Sequence, residues 1–164
     1  MNPLDALIER ILDREGGIKD VGDGKGVTRF GQTPDWLTQF SLPSPTTRED
    51  AAINYRTWLD IVGLTSIVSS GDDLADIVID IAVMSSAPKA VKALQACLMV
   101  KVDGVLGDVT REALVGANRA KLARLVIAWD MAYQGRLITQ NPTLRAQWAA
   151  GWAERMAGHV LRLV

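Results

Sequence analysis

The chain has 164 residues, of which 48% are apolar and 23% charged, and its mean hydropathy is +0.11. A chain of this length can bury about 68–70% of its unfolded surface, so it can fold as a globular protein without cross-links. Its formal net charge is −1, and with one cysteine, Cys97, and one histidine, His159, it cannot form an internal disulfide and is poorly supplied for a zinc site.

The first segment predicts an amphipathic helix. Asn2 can cap it and Pro3 suits its first turn, while the later apolar residues recur with helical spacing up to Gly16-Gly17. The acids inside this pattern are unlike the uninterrupted apolar core of a signal peptide, and no stretch reaches the length of a membrane span. We therefore expect the protein to begin in the cytosol. The acids are Asp5, Glu9 and Asp13.

A hairpin is predicted next, because two short extended pieces, residues 18–21 and 27–30, flank the turn signal Asp23-Gly24. After the loop "SLPSPTTRED", in which Thr46 or Thr47 can cap a helix, helical patterns dominate. The chain is expected to be mainly α with one small β-hairpin, as a single compact domain of two lobes. The later helices are predicted at 47–62, 72–84, 87–99, 108–115, 118–138 and 142–162.

Charge changes sign along the chain at the Ser85–Pro88 seam, which divides it into parts 1–87 and 88–164. The first part carries 7 basic and 14 acidic residues, a balance of −7, and the second carries 11 and 5, a balance of +6. A basic half favours an anionic partner such as an outer-membrane surface or a charged wall polymer, although basic residues also decorate solvated helix faces. No recognised nucleic-acid module supports a nucleic-acid partner.

Glu15 is the candidate catalytic residue. It shares a helix face with Ile8 and Ile11, so it is directed toward the apolar side at the negative end of the helix dipole. This position favours a carboxyl that keeps its proton, as an acid must if it is to protonate the leaving oxygen of a glycosidic bond. Such a reaction needs a second carboxylate, for which Asp23 is the first candidate and Asp20 the second. The structural alternative is a solvated glutamate in the last turn of the helix beside an aspartate that only forms the turn, because it would show the same sequence spacing.

The chain resembles glycoside hydrolase family 108, a family of phage and bacterial muramidases. The resemblance begins in residues 11–33, where "ILDREGG" is followed by a glycine-rich segment ending in Thr and Gly. It continues through "TTREDAAINYRTWL" at 46–59 and "DIAV" at 80–83. Residues 92–114 resemble the family's peptidoglycan-binding-like part, and 141–156 its closing Gly-Trp-x-x-Arg element. The resemblance covers nearly the whole chain in order.

This resemblance implies a lysozyme-like fold, with a catalytic part in 1–87 and a peptidoglycan-binding-like part in 88–164. It matches Glu15 to the family's catalytic glutamate, while Thr28 is a candidate to orient a water. Three departures from the family pattern concern the cleft wall and the second carboxylate. Ile18 replaces a Tyr, the glycine-rich segment is about one residue shorter, and Met84-Ser85-Ser86 replaces an Asn-x-Gly.

The function expected from the resemblance is hydrolysis of the β-1,4 bond between N-acetylmuramic acid and N-acetylglucosamine. The partner is then the glycan strand of peptidoglycan, with no cofactor and a monomeric enzyme. The setting is a phage endolysin that waits in the host cytoplasm for release to the wall by a holin. A lytic transglycosylase and a non-catalytic wall-binding or virion protein remain alternatives.

Other residues have structural explanations beside functional ones. Tyr55 and Trp58 lie three apart on a helix and can form an aromatic floor for sugars, although such pairs are often core residues. Asp103 begins the turn in "VDGVLGDVT", which is a compact corner, and by resemblance to wall-binding modules it is a candidate glycan contact. His159 lies in a terminal helical segment, far from any nucleophile motif, and we expect it at the surface.

Overall fold

The structure is a computed structural model that describes residues 2–20, 26–69 and 73–163, with the backbone alone for 144–148. The chain divides into two compact units, Met1–Ser70 and Gly71–Val164. This division differs from the predicted seam after residue 87. The helix that precedes the seam packs against helices that follow it, so it belongs to the second unit.

In the part that the structure describes, the first unit contains a hairpin and three α-helices. Helix α1, Pro3–Glu15, packs against helix α3, Arg48–Ile61, and the apolar residues predicted for the inner face of α1, including Ile8 and Ile11, are buried. Strands β1 and β2 are antiparallel, with Lys19 opposite Thr28. A 3₁₀ turn at Leu64–Ile67 follows α3. The elements are α1 Pro3–Glu15, β1 Ile18–Asp20, β2 Val27–Arg29, α2 Pro34–Gln39 and α3 Arg48–Ile61.

Three of the four acids of α1, Asp5, Glu9 and Asp13, tie this helix to α3. Arg48 Nη2 lies 2.7 Å from Glu9 Oε2 and 2.6 Å from Asp13 Oδ1, and Arg56 pairs with Asp5. The hydrogen bond to Glu9, followed by that to Asp13, raises the pKa of Arg48. Ion pairs as exposed as these contribute about 0.2–1 kcal/mol each. Their effect is to fix how α1 lies along α3.

The second unit is built around α4, whose residues from Leu74 to Ala82 are all buried. Helix α4 contacts α5 and α7, and α8 packs along α7. A helix that is buried all round belongs in the centre of a core, where each fully buried Leu or Ile contributes about 1.5–3 kcal/mol. The elements are α4 Asp73–Met84, α5 Ala87–Leu98, α6 Asp108–Val115, α7 Arg119–Gln140 and α8 Pro142–Arg162.

The predicted elements agree with the observed ones within one or two residues at each described end. Thr47 caps α3 in a capping box with Asp50, as one of the two predicted threonines. Helix α2 was not predicted, although Thr33 caps it and Pro34 begins it. Among the described residues, no helix is both long enough and apolar enough to span a membrane.

Candidate functional site

Glu15 is the last residue of α1 and is partly buried. The helix ends there because Gly16 takes a φ of 73°, which an L side chain rarely adopts, while its N–H still bonds to the Leu12 carbonyl at 3.1 Å. The chain then turns directly into β1. Helix phase and the glycine cap together direct the Glu15 carboxyl toward the end of the hairpin.

A two-residue turn follows β2 and supplies the surface against which Glu15 lies. Phe30 and Gly31 have φ values of 52° and 80°, and Arg29 and Gln32 exchange backbone hydrogen bonds of 3.1 and 2.9 Å across them. Positive φ at both central residues is the signature of a type I′ turn. The turn is held further by Tyr55, whose hydroxyl donates to the Phe30 carbonyl at 2.9 Å.

Gly31 meets both Glu15 and Tyr55. A methyl group built on its Cα would lie 2.6 Å from Glu15 Cγ, 2.7 Å from Glu15 Oε2 and 2.7 Å from the Tyr55 hydroxyl oxygen. No side chain fits at such distances, so the position requires glycine for space as well as for its positive φ. Glu15, Gly31 and Tyr55, contributed by α1, the turn and α3, form one site, which we call the Glu15 site.

Buried amides anchor the turn to the rest of the unit. Gln32 Nε2 donates to the Ala51 carbonyl at 2.9 Å. Asn54 Nδ2 donates to Gln32 Oε1 and to the Pro43 carbonyl, each at 2.8 Å. Buried amides that are paired in this way hold one geometry, because each lost partner would leave a costly unsatisfied group. Gly31, Gln32 and Asn54 were not predicted as supports of the site, although all three lie in the segments, 11–33 and 46–59, that carry the family resemblance.

Of the two candidates for the second carboxylate, Asp20 and Asp23, the structure describes Asp20. Asp23, the first candidate, lies outside the described residues. Asp20 is exposed at the end of β1, opposite Val27, and Thr28 is partly exposed in β2. The roles of Asp20, Asp23 and Thr28 therefore remain predictions.

The predicted sugar-stacking role of Tyr55 and Trp58 is corrected by their burial. Each side chain is 2% exposed, and their ring centroids lie 6.2 Å apart in an edge-to-face contact. Trp36 of α2 packs on both, at 5.8 and 5.6 Å. Neither ring of the predicted pair presents a face to a ligand. Tyr55 instead contributes to the Glu15 site through its hydroxyl, which holds the turn. Of the three packed rings, Trp36 is the partly exposed one.

Asp103 lies in the second unit and fixes a loop, as expected for a compact corner. Its Oδ1 accepts from the Val105 N–H at 2.9 Å and from Gln95 Nε2 at 2.8 Å, while Gln95 Oε1 accepts from the N–H groups of Asp103 and Gly104. The bond from Val105, followed by that from Gln95, lowers the pKa of Asp103. A glycan contact by Asp103 remains a prediction.

His159 is buried, at 2% exposure, so the expectation of a surface position was wrong. Its Nε2 lies 2.7 Å from Asp80 Oδ2 and its Nδ1 lies 2.5 Å from Arg162 Nη2. The ring therefore lies between a carboxylate on one side and a guanidinium on the other. Arg155 also binds Asp80, with Nη2 at 2.7 Å from Oδ1. These residues join α4 to α8.

Comparisons with known proteins bear on the fold. No protein-family model and no curated protein sequence matches this chain. The solved structure titled "Structure of Brucella abortus SagA" is similar, with a TM-score of 0.77 and 20% identity over 98% of this chain and 92% of that one. The expected fold class is thereby confirmed: the chain is mainly α with one small β-hairpin and is lysozyme-like.

Proposed function

We propose that this protein is a peptidoglycan hydrolase, an N-acetylmuramidase that uses Glu15 as its general acid. The observation that carries the proposal is the position of the Glu15 carboxyl against Gly31, in a turn that the Tyr55 hydroxyl holds. An acid used for catalysis must be held at a defined place beside its substrate. The lysozyme-like fold and the resemblance to glycoside hydrolase family 108 along nearly the whole chain support the same reaction.

The proposed chemistry begins with proton transfer from the Glu15 carboxyl to the glycosidic oxygen. As that oxygen gains the proton, its bond to the anomeric carbon breaks and the leaving sugar departs as an alcohol. Positive charge develops on the ring, and a second carboxylate, Asp23 or Asp20, stabilises it or activates a water that Thr28 orients. Water completes the hydrolysis and the carboxylate of Glu15 recovers a proton.

The supports of the Glu15 site have a role in this proposal. Gly31 brings the hairpin backbone close to the acid, and the Tyr55 hydroxyl, which donates to the Phe30 carbonyl, holds the turn in that position. The buried Gln32 and Asn54 amides hold the turn in this place. The site is thus organised by the fold before substrate binds.

The proposal is tested by Glu15→Gln, with Glu49→Gln as the matched control, on purified peptidoglycan. Glu49 is an exposed acid in the first turn of α3. Because general acids contribute about 10²–10⁴-fold, clearing should fall by that factor in Glu15→Gln and stay near wild type in Glu49→Gln. Equal clearing by Glu15→Gln and wild type would overturn the proposal.

The products distinguish hydrolysis from the alternative of a lytic transglycosylase. Mass spectrometry of the wild-type digest should show reducing ends that have gained water. Anhydro-sugar ends would show transglycosylase chemistry, which also relies on one glutamate.

In the proposed setting the protein is a phage endolysin, and its basic half contacts an anionic envelope. Envelope binding that does not weaken with salt would contradict that contact.

A further inference from the structure

The second unit contains an open groove with a volume of about 640 Å³, which lies between the end of α5, helix α6 and the first two turns of α7. Most of its lining is apolar or small, including Leu98, Ala113, Leu122 and Leu125. Leu125 is 43% exposed, so the apolar wall is open to water. An exposed apolar surface of this kind is typical of a site of interaction with another molecule.

The groove also contains a methionine in an unusual position. Met99 follows the last residue of α5 with φ 57° and ψ 36°, the left-handed conformation in which glycine usually ends a helix. This conformation is unfavourable for a residue with a side chain. The Met99 side chain is nevertheless 92% exposed, so it adds almost nothing to the core. Because methionine is enriched in protein interfaces, Met99 is well placed to contact a partner.

Two opposite charges line the groove. Glu112 lies in the wall from α6 and Lys121 in the wall from α7. Both residues are exposed, and among the described residues neither side chain belongs to an ion pair. A partner with charge of a single sign would be attracted by one wall and repelled by the other. A second copy of this chain instead brings one charge of each sign in the same arrangement.

We propose that the groove is the contact surface of a symmetric dimer of this protein. A twofold axis through the groove brings Glu112 of each protomer to Lys121 of the other, and Met99 of each protomer enters the groove of the other. The contact then has the anatomy of an interface, with an apolar centre and a charged rim. A contact through one groove is small, so the dimer dissociates on dilution. The monomer expected from the family resemblance is its dilute form.

The single cysteine of the chain can report whether the groove is occupied. Cys97 lines the groove from α5 and is partly buried. This burial raises the pKa of its thiol. A second copy in the groove covers the thiol further. The rate at which Cys97 reacts with a neutral maleimide should therefore fall as the protein concentration rises through the dissociation constant.

Sedimentation equilibrium of the full chain measures the dimer directly. Wild type should dimerise with a dissociation constant of about 1 mM or tighter. Glu112→Lys should weaken the dimer about tenfold or more, because the symmetry turns two attractive contacts into two repulsive ones. The matched Glu154→Lys reverses an exposed acid of α8 that does not line the groove, and it should dimerise like wild type.

A mixing experiment tests the pairing itself. Glu112→Lys and Lys121→Glu should each be monomeric at a concentration where wild type is a dimer. An equimolar mixture of the two variants should form a heterodimer about as tight as the wild-type dimer, because opposite charges then meet at both ends of the contact. A mixture that stays monomeric would overturn the inference.

Met99→Gly separates the contact from the stability of the fold. Glycine suits the left-handed backbone at this position, so the variant should be at least as stable as wild type in thermal unfolding of dilute protein. Its dimer should nevertheless weaken about tenfold or more, because the apolar side chain that fills the other groove is lost.

The inference is overturned if wild type stays monomeric up to about 1 mM, or if Glu112→Lys or Met99→Gly dimerises like wild type. It is also overturned if Cys97 is protected only when purified peptidoglycan or anionic lipid vesicles are added, since the groove would then bind a wall polymer or a lipid surface. None of these measurements uses hydrolysis, so the inference and the proposed function can fail separately.

Discussion

Two acids on buried helix faces, Glu15 in the first unit and Asp80 in the second, differ in what surrounds them. Asp80 is fully buried and its carboxylate is bound by Arg155 and His159 at 2.7 Å each. Glu15 is partly buried and lies against a glycine turn that a tyrosine hydroxyl holds. An acid on the apolar face of a helix is therefore directed inward, whereas its neighbours decide whether it holds the fold together or is placed for chemistry.

The largest effect on stability is expected for Asp80→Asn. Removing this charge breaks the buried ion pair with Arg155, and breaking a buried pair costs about 3–5 kcal/mol. The free energy of unfolding from urea titration measures it. The matched Asp73→Asn, whose carboxylate is 41% exposed and 3.9 Å from Arg162, should cost less than about 1 kcal/mol. Equal losses would show that the network of Asp80 does not stabilise the fold.

Gly31→Ala should damage the Glu15 site. A left-handed φ costs a non-glycine residue about 1–3 kcal/mol, and the new methyl group would displace Glu15 and the Tyr55 hydroxyl. Hydrolysis per folded molecule should fall about 100-fold, since small misplacements of catalytic groups have effects of that size. Gly17→Ala, where a Cβ meets nothing within 4 Å, is the control. Normal rates in Gly31→Ala would mean that the turn does not position the acid.

Tyr55→Phe should have a smaller effect, because it removes the hydroxyl and keeps the buried ring. Loss of the hydrogen bond to Phe30 should lower the free energy of unfolding by about 0.5–1.5 kcal/mol. Thermal unfolding and the clearing rate would be measured together, and the rate should fall more than the stability loss explains. A change in stability alone would limit Tyr55 to holding the turn.

The smallest effect is expected for Asp103→Asn, and it depends on pH. The folded-state pKa of Asp103 is lowered, so its contribution to stability is present above the unfolded pKa and is lost as pH falls through the folded one. Between neutral pH and the acid range, the thermal midpoint of Asp103→Asn should decline less steeply than that of wild type. Asp108→Asn, an exposed acid nearby, should follow wild type. Parallel curves for all three proteins would contradict this role.

Local signals predicted most of the fold. Caps such as Asn2 and Thr47 and the apolar spacing between them placed the long helices, because these signals act within a few residues. Helix α2 was missed because six residues show no periodicity. The seam after residue 87 was predicted from the change in the sign of the charge. Charge carries no information about packing, and α4 packs on α5 across this seam.

The candidate site was predictable only where its geometry is local. The helical spacing of Ile8, Ile11 and Glu15 predicted that Glu15 faces the apolar side, because all three residues lie on one helix. Gly31 and Tyr55, which complete the site, lie on two other elements, and Asp80, the hydrogen-bond partner of the buried His159, lies 79 residues away. Such long-range pairs leave no periodic signal in one sequence, so the burial of Tyr55 and Trp58 and the role of His159 required the structure.

The most direct test of the account measures activity and stability together in Glu15→Gln and Asp80→Asn. We predict that Glu15→Gln loses about 10²–10⁴-fold in peptidoglycan hydrolysis while its free energy of unfolding stays within about 1 kcal/mol of wild type. Asp80→Asn should show the reverse, with normal hydrolysis per folded molecule and a large loss of stability. Wild-type hydrolysis by folded Glu15→Gln would contradict the central claim that Glu15 is the catalytic acid.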